Sequence, residues 1–237
     1  MKILLITPLA KFTHTRWLPL GLSYISSILK KAGHEVRLYD RFLQGRMLVN
    51  RNTLDGDMKK NILDFNPDVI GLTTISPLIH DTVECVEHIR NYYNGTIIAG
   101  GHHVTALPEL TLKKIPGLDL VAVGEAEQIM LDLASGKAPE GIPGLYSRQS
   151  IPVEKNKDYI KNLDELPFPD YKIFNMKYYT EANHHTIKGF YLRTACIVSS
   201  RGCPNRCEFC SESTSASDCK SIGSGCSKKT HSIIDEL

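Results

Sequence analysis

Three cysteines near the end of the sequence have a spacing that can hold a metal cluster. The segment Ser200–Cys210 (SRGCPNRCEFC) places Cys203, Cys207 and Cys210 in the pattern C-x3-C-x2-C. Thiolates this close together on one loop can cover one face of a cubane iron–sulfur cluster and leave its fourth iron without a protein ligand. An iron with an open site can bind a chelating small molecule. The pattern therefore predicts an iron–sulfur cluster whose open iron binds a small-molecule ligand.

A zinc site is the first alternative for the same cysteines, with Cys196, Cys219 or Cys226 as the fourth ligand. Zinc sites usually combine two separated C-x2-C or C-x2-H pairs, so the observed spacing favours the cluster. A group of reactive free thiols is the second alternative. Gly202 and Pro204 suit a tight loop, and Arg201 and Arg206 would offset the negative charge of a thiolate-ligated cluster.

Composition excludes several classes of protein for this chain of 237 residues. Its hydrophobic content of 42% and net charge of +2 are typical of a globular protein, not of a disordered one, and they give no support to a nucleic-acid partner. No apolar run is long enough for a transmembrane helix, so no membrane partner is expected. The N-terminal residues MKILLITPLAKF are typical of a buried strand rather than a signal peptide. We therefore expect a cytoplasmic protein whose seven cysteines are reduced.

Residues 2–135 alternate between strand-like and helix-like patterns, which predicts the elements that position these groups. Helical spacing follows each strand, and the first helix should end at Gly33. The predicted fold class is α/β, a doubly wound five-stranded parallel sheet of the flavodoxin-like order 2-1-3-4-5. The predicted strands are Lys2–Thr7, Glu35–Asp40, Asp68–Thr74, Thr96–Ala99 and Asp119–Val123; the predicted helices are residues 20–33, Asn52–Phe65, His80–Tyr92, Val104–Lys113 and Glu125–Ala134.

The chain changes character after residue 136. Five prolines between residues 139 and 169 break the strand–helix pattern, which predicts a small hairpin and an extended linker over 137–189. Phe190–Ser199 is again strand-like and leads into the cysteine motif. Ser211–Lys229 is rich in Ser, Gly and Lys and should be poorly ordered alone.

A ligand of such a sheet binds beyond the carboxyl ends of the strands, near the switch between strands one and three. Gly100, Gly101 and Gly124 follow strands four and five, where a missing side chain lets a ligand approach the backbone, although loop geometry explains the same glycines. The sequence has neither G-x-G-x-x-G nor a phosphate-binding loop, which makes NAD and ATP weak candidates. The candidate cofactor contacts at this edge are Thr7, Pro8, Leu20, Gly21, Thr73, Thr74, Ser76, Gly100, Gly101, His102, Gly124 and Glu125.

The cysteine loop resembles that of the radical S-adenosylmethionine enzymes, which share this spacing and place an aromatic residue before the last cysteine. The resemblance implies that Cys203, Cys207 and Cys210 hold a [4Fe-4S] cluster whose open iron chelates S-adenosylmethionine. It also implies that Phe209 lies beside the adenine of that ligand.

The first half of the chain resembles the cobalamin-binding domain of the B12-dependent members of this family. The resemblance runs in order over about residues 1–210 and includes the linker motif Leu163–Tyr171 (LDELPFPDY). It divides the chain into a cobalamin-binding-like domain (1–136), a hairpin and linker (137–189) and an N-terminal fragment of a radical domain (190–237). The matching positions are Pro19–Ile25, Gly33–Val36, Asp40, Asn66–Gly71, Gly100–His103 and Gly124–Glu127.

The sequence departs from the family pattern in two places. The D-x-H-x-x-G motif, through which some cobalamin domains supply a cobalt ligand, is absent, and His14, His102 and His103 are interpreted as solvated or hydrogen-bonded loop residues. After Cys210 the chain has 27 residues, fewer than a (β/α) barrel needs. We therefore expect the barrel to be incomplete in this chain.

Three functional hypotheses remain at this point. The first is the cobalamin-, cluster- and S-adenosylmethionine-binding portion of a methyltransferase-like B12-dependent radical enzyme, with a separate chain as a candidate source of the missing barrel. The second is a non-catalytic, flavodoxin-like binding or regulatory protein with a zinc or vestigial metal loop. The third is a chain without independent activity.

Overall fold

The structure is a computed structural model that describes residues 1–9, 18–47, 50–150, 160, 162–180, 195–198, 201 and 207–208. The statements below refer to these residues. Among them, no helix combines the length and the hydropathy needed to cross a membrane.

The five predicted parallel strands are present in the predicted order, 2-1-3-4-5, and a short sixth strand extends the sheet beyond strand five. This sixth strand runs antiparallel to its neighbour, with Val121 opposite Tyr146. The strands are nearly continuous apolar runs because both faces of a parallel sheet are covered by helices. Their bounds are β1 Lys2–Ile6, β2 Glu35–Tyr39, β3 Val69–Thr73, β4 Thr96–Gly100, β5 Leu120–Ala122 and β6 Leu145–Tyr146.

Eight α-helices occur in the described part of the chain. The first ends where the sequence predicts, because Gly33 adopts the left-handed conformation (φ 85°) that ends a helix. The third begins at a side-chain cap, in which Asn50 Oδ1 accepts a hydrogen bond from the Thr53 amide at 2.9 Å. The helices are α1 Leu20–Lys31, α2 Arg41–Met47, α3 Arg51–Phe65, α4 Ile79–Arg90, α5 His102–Ala106, α6 Pro108–Lys114, α7 Ala126–Ala134 and α8 Met176–Thr180; single 3₁₀ turns lie at Ser76–Leu78, Pro139–Gly141, Leu163–Glu165 and Tyr171–Ile173.

The sheet separates two apolar layers. Leu4 and Ile6 of β1 point to the layer that contains α3 and α4, whereas Ile3 and Leu5 point to the layer that contains α1 and α7. This alternation follows from the two-residue period of a strand. All four side chains are at most 2% exposed, so the core holds β1 in the centre of the sheet.

Three local features differ from the sequence-based expectation. The helix predicted over Val104–Lys113 is two helices, because Pro108 lacks an amide hydrogen and disfavours helical geometry at Leu107. Helix α2 was not predicted; Asp40 caps it, accepting hydrogen bonds from the amides of residues 42 and 43. Strand β6 pairs with β5 at the edge of the sheet, where a hairpin was expected.

The strand predicted over Phe190–Ser199 lies mostly outside the described residues. The part that the structure describes, residues 195–198, is exposed and has no regular secondary structure. The predicted strand therefore does not extend over residues 195–198, and its other residues are outside the described part of the chain.

The described part of the predicted linker packs against α1. Asp170 Oδ2 lies 2.7 Å from the hydroxyl of Ser26 and 2.6 Å from the ammonium of Lys30. Phe174 and Tyr179 are each 5% exposed and belong to the same apolar layer as α1. Residues 162–180 are thus anchored to the sheet domain by polar and apolar contacts.

Candidate cofactor site at the carboxyl edge of the sheet

The loops that follow β1, β3, β4 and β5 meet at one edge of the sheet. The strands are in parallel register, with Ile6 beside Leu72 and Thr73 beside Gly100, so their carboxyl ends are level. The candidate contacts predicted from the sequence follow these strands or begin α1. The fold therefore brings most of them to the same edge.

Thr74 and Gly101 join the two central loops. The amide and the hydroxyl of Thr74 both donate to the carbonyl of Gly100, at 2.8 and 2.7 Å, and the amide of His103 donates to the Thr74 carbonyl at 3.3 Å. Gly101 has φ 101°, and a Cβ there would lie 2.5 Å from the Thr74 carbonyl oxygen. Glycine is thus required at residue 101 by backbone packing as well as by its conformation.

Gly21 and Gly124 border open space at this edge. A Cβ built on either residue would have no neighbouring atom within 4 Å. Gly124 has φ 87°, and its amide donates to the hydroxyl of Thr105 at 3.1 Å, which holds the turn after β5 in place. No neighbouring side chain therefore blocks the approach of a ligand to the backbone at these two positions.

The remaining candidate contacts divide by their exposure. Thr7, Pro8 and Thr74 are buried in the interior of the protein beneath this edge. The candidates that are exposed or half-buried are Leu20, Gly21, Thr73, Ser76, Gly100, Gly101, His102, Gly124 and Glu125.

The candidate histidines have different environments. His14 lies outside the described residues, and His102 is exposed. His103 has its Nδ1 at 3.0 Å from the hydroxyl of Ser76, and burial lowers the pKa of its imidazole. His103 is therefore hydrogen-bonded, in agreement with the sequence-based interpretation, but it lies in the first turn of α5 and not in a loop; its contact with Ser76 joins this turn to the 3₁₀ turn after β3.

A buried polar group lies below the β1 end of the site. The hydroxyl of Thr7 donates to Asp40 Oδ1 at 3.0 Å, and the phenol of Tyr179 donates to Asp40 Oδ2 at 2.7 Å. Burial raises the pKa of Asp40, whereas the hydrogen bonds from Tyr179 and Thr7 lower it. Tyr179 was not singled out from the sequence because nothing near it in the chain indicates a partner so distant.

A second buried group fixes the start of the first loop. The Leu9 amide donates to Asp81 Oδ2 at 2.7 Å, and the same oxygen lies 3.1 Å from a guanidinium nitrogen of Arg41, whose side chain is fully buried. Burial raises the pKa of Asp81, and the positive charge of Arg41 opposes that rise. The sequence gives no signal for this arrangement, since arginine is ordinarily exposed.

Glu125, a predicted cofactor contact, forms an ion pair in this structure. Its Oε1 lies 2.9 Å from Nη1 of Arg201, while Oε1 of Glu127 lies 2.7 Å from Nη2 of the same side chain. The other Glu125 oxygen accepts a hydrogen bond from the Ile160 amide at 2.6 Å. Burial alone would lower the pKa of Arg201, but the carboxylates outweigh it and the net change is upward. The charge of Arg201, expected from the sequence to balance a cluster, is balanced by these glutamates.

The cysteine motif lies mostly beyond the described part of the chain. Cys203, Cys210 and Phe209 are outside it, while Cys207 and Cys196 are described and exposed. Among the described residues there is no group of three or more side chains placed to hold a metal ion. Cys85 is buried beside the sulfur of Met58, and burial raises the pKa of its thiol to about 12, so this cysteine is a core residue.

Known proteins resemble this chain over most of its length. An uncharacterized methyltransferase of Pyrococcus horikoshii is 31% identical over 225 residues, which cover 90% of this chain and 46% of the relative. The cytidylyl-2-hydroxyethylphosphonate methyltransferase of Streptomyces wedmorensis is 27% identical over an alignment of 258 positions, which covers 88% of this chain and 47% of the relative. The chain thus spans about half the length of these relatives.

A solved structure has the same fold. It is the radical S-adenosylmethionine methyltransferase TsrM of Kitasatospora setae with cobalamin and a [4Fe-4S] cluster bound. Its TM-score is 0.52 at 19% identity, over 62% of this chain and 27% of that one.

The family model of the B12 binding domain matches residues 8–134. This range is more than half of the chain. It contains β2 to β5 and α1 to α7, and therefore also the loops that follow β3, β4 and β5 at the carboxyl edge. The chain therefore belongs to the B12-binding domain family.

Proposed function

We propose that the carboxyl edge of the sheet binds cobalamin and that the cysteine loop holds a [4Fe-4S] cluster whose open iron chelates S-adenosylmethionine. The observation that carries the proposal is the open space beside Gly21 and Gly124, at the edge where doubly wound sheets bind ligands. Membership of the B12-binding domain family supports cobalamin as the occupant.

The residues of the edge have distinct roles in this proposal. Gly21 and Gly124 leave room for the corrin ring, and the exposed Ser76 and His102 supply polar groups at its rim. Thr74 holds the central loops together by its hydrogen bond to the Gly100 carbonyl, and it stays a predicted cofactor contact. Bound cobalamin would supply a cobalt-carried methyl group.

The cluster is assigned to Cys203, Cys207 and Cys210, with Phe209 beside the adenine of S-adenosylmethionine. The C-x3-C-x2-C spacing supports this part of the proposal, as does the [4Fe-4S] cluster bound in the structure of TsrM. A compartment that keeps thiols reduced, the cytoplasm, suits such a site. In this proposal the whole reaction also needs barrel elements outside the sequence given, in the same polypeptide or in a separate chain.

Anaerobic reconstitution with iron, sulfide and hydroxocobalamin tests the proposal. We expect about four irons and four sulfides per chain together with retained cobalamin. In the triple variant Cys203→Ala, Cys207→Ala, Cys210→Ala, the broad absorbance of the cluster should disappear while cobalamin is still retained. One zinc per chain in place of iron would contradict the cluster assignment, and loss of cobalamin from the triple variant would contradict the division into two sites.

A further inference from the structure

Arg201, just before the cysteine motif, contacts the sheet domain. It stands two residues before Cys203 in the sequence. Its guanidinium bridges the carboxylates of Glu125 and Glu127, 76 and 74 residues away in the chain. Its central carbon lies 4.9 Å from the ring centroid of Tyr24. These contacts come from α1 and from the β5–α7 turn, the same elements that contain Gly21 and Gly124.

We propose that Arg201 is a positioning residue that holds the cysteine loop near the cobalamin edge and so sets the separation between the two cofactor sites. We call the contact of Arg201 with Glu125, Glu127 and Tyr24 the latch. The inference rests on the proposed function for the identity of the cofactors. The latch itself is a contact within this chain and can be tested without them.

The geometry of the contact suits a latch better than an incidental surface ion pair. The Arg201 side chain is 22% exposed, and its partners Glu125 and Glu127 are 16% and 6% exposed, so solvent screens the charges less than at the surface. Two carboxylates at the fork and an aromatic ring against the guanidinium fix the orientation of the planar group. A lysine ammonium has one charged nitrogen and cannot reproduce this arrangement.

A second contact holds the same segment a few residues earlier. The phenol of Tyr171 donates to the main-chain carbonyl of Cys196 at 2.9 Å, and Tyr171 belongs to the region anchored on α1 through Asp170. The segment is therefore held at two points, residues 196 and 201.

Covalent geometry carries this restraint to the cysteine motif. Two residues span at most about 7 Å, so the Cα atom of residue 203 stays within that distance of the Cα atom of Arg201 in any conformation. Fixing Arg201 at the β5–α7 turn therefore limits how far the first cysteine can move from the cobalamin edge. Releasing Arg201 removes this limit without removing a ligand of either cofactor.

The first experiment uses the cofactor-free chain. Hydrogen exchange is measured for peptides that cover residues 124–131 and 195–201 in wild type, Arg201→Ala and Arg201→Lys. A matched control is Arg37→Ala, which removes an exposed arginine paired with Glu35. We expect exchange in 124–131 to be faster in Arg201→Ala, less changed in Arg201→Lys and unchanged in Arg37→Ala, whereas the exposed residues 195–198 have no helix or strand hydrogen bonds to lose. Equal exchange in Arg201→Ala and wild type would overturn the latch.

The second experiment measures the magnetic interaction between cob(II)alamin and the reduced cluster by electron paramagnetic resonance in the reconstituted chain. We expect one defined interaction in wild type and a weakened, heterogeneous one in Arg201→Ala, at unchanged cobalamin and iron content. The double variant Arg201→Glu, Glu127→Arg should recover part of it. An unchanged interaction in Arg201→Ala, or a loss that merely follows cofactor content, would overturn the positioning role. If wild type takes up neither cofactor, the proposed function fails, while the exchange experiment still decides whether Arg201 docks the segment.

Discussion

The phenolic oxygen of Tyr179 lies 2.7 Å from Oδ2 of Asp40, although 139 residues separate the two in the sequence. Asp40 also accepts the hydroxyl hydrogen of Thr7 and caps α2. One carboxylate therefore connects the end of β1, the start of α2 and helix α8. Helix α8, which follows the sheet in the sequence, is thus connected through Asp40 to Thr7 at the buried side of the proposed cobalamin site.

Replacing Tyr179 by Phe should destabilise the fold, because one oxygen of a buried carboxylate loses its donor. We expect the free energy of unfolding to fall by about 1–3 kcal/mol, measured by urea denaturation. The double variant Tyr179→Phe, Asp40→Asn serves as the control, and its loss should be smaller than the sum of the two single losses. Additive losses would show that the hydrogen bond contributes nothing.

Asp40 should make stability depend on pH with a defined sign. Its pKa in the folded state is raised by burial, so the folded state holds this proton more tightly than the unfolded state, whose value is about 3.9. The resulting stabilisation is present below that value and is lost as the pH rises through the folded-state pKa. The free energy of unfolding of wild type minus that of Asp40→Asn should therefore fall as the pH rises above the unfolded-state value of about 3.9. A difference that rises over this range would show that the pKa is lowered instead.

Gly101 and Gly100 should respond differently to alanine although they are adjacent. At residue 101 the new Cβ would lie 2.5 Å from the Thr74 carbonyl oxygen and the residue would keep a positive φ; at residue 100 the nearest atom would be the Ala122 Cβ at 3.7 Å, an ordinary contact. We expect Gly101→Ala to cost about 1–3 kcal/mol of unfolding free energy and Gly100→Ala much less. Thermal or urea denaturation of the pair decides this, and equal losses would contradict the account of the Thr74–Gly101 junction.

Gly21 should tolerate a large side chain for folding but not for ligand binding. It is exposed in the first turn of α1 and its Cβ direction is open, so Gly21→Trp should leave the free energy of unfolding at or above that of wild type. Cobalamin affinity, measured by absorbance titration, should fall at least tenfold because the indole occupies the proposed corrin space. Gly56→Trp is the matched control, since Gly56 is an exposed glycine of α3 with equally open space. Undiminished affinity in Gly21→Trp would place the ligand elsewhere.

Local patterns predicted the elements that local chemistry determines. The apolar runs of β1 and β3 and the helix-ending Gly33 are properties of a few neighbouring residues, and they appear where expected. Strand β6 has only two residues, and it forms by backbone pairing with the edge strand β5. A segment this short has no hydrophobic periodicity from which a strand could be predicted.

The location of the candidate site at the carboxyl edge of the sheet could be predicted from the sequence, but the side-chain contacts around it could not. Topology brings the ends of the parallel strands to one edge, which is why the candidate glycines converge there. The pairing of Glu125 with Arg201, and of Asp40 with Tyr179, depends on how distant segments pack. Glu125 and Thr7 stay predicted cofactor contacts; what the sequence could not predict is that Glu125 also pairs with Arg201 and Thr7 with Asp40.

The most direct test of the central claim is equilibrium dialysis of the full chain against hydroxocobalamin, followed by gel filtration and absorbance. If the carboxyl edge binds cobalamin, the protein peak will carry about one cobalamin per chain in wild type and in Gly56→Trp, and much less in Gly21→Trp. A wild-type protein that elutes without cobalamin would contradict the account.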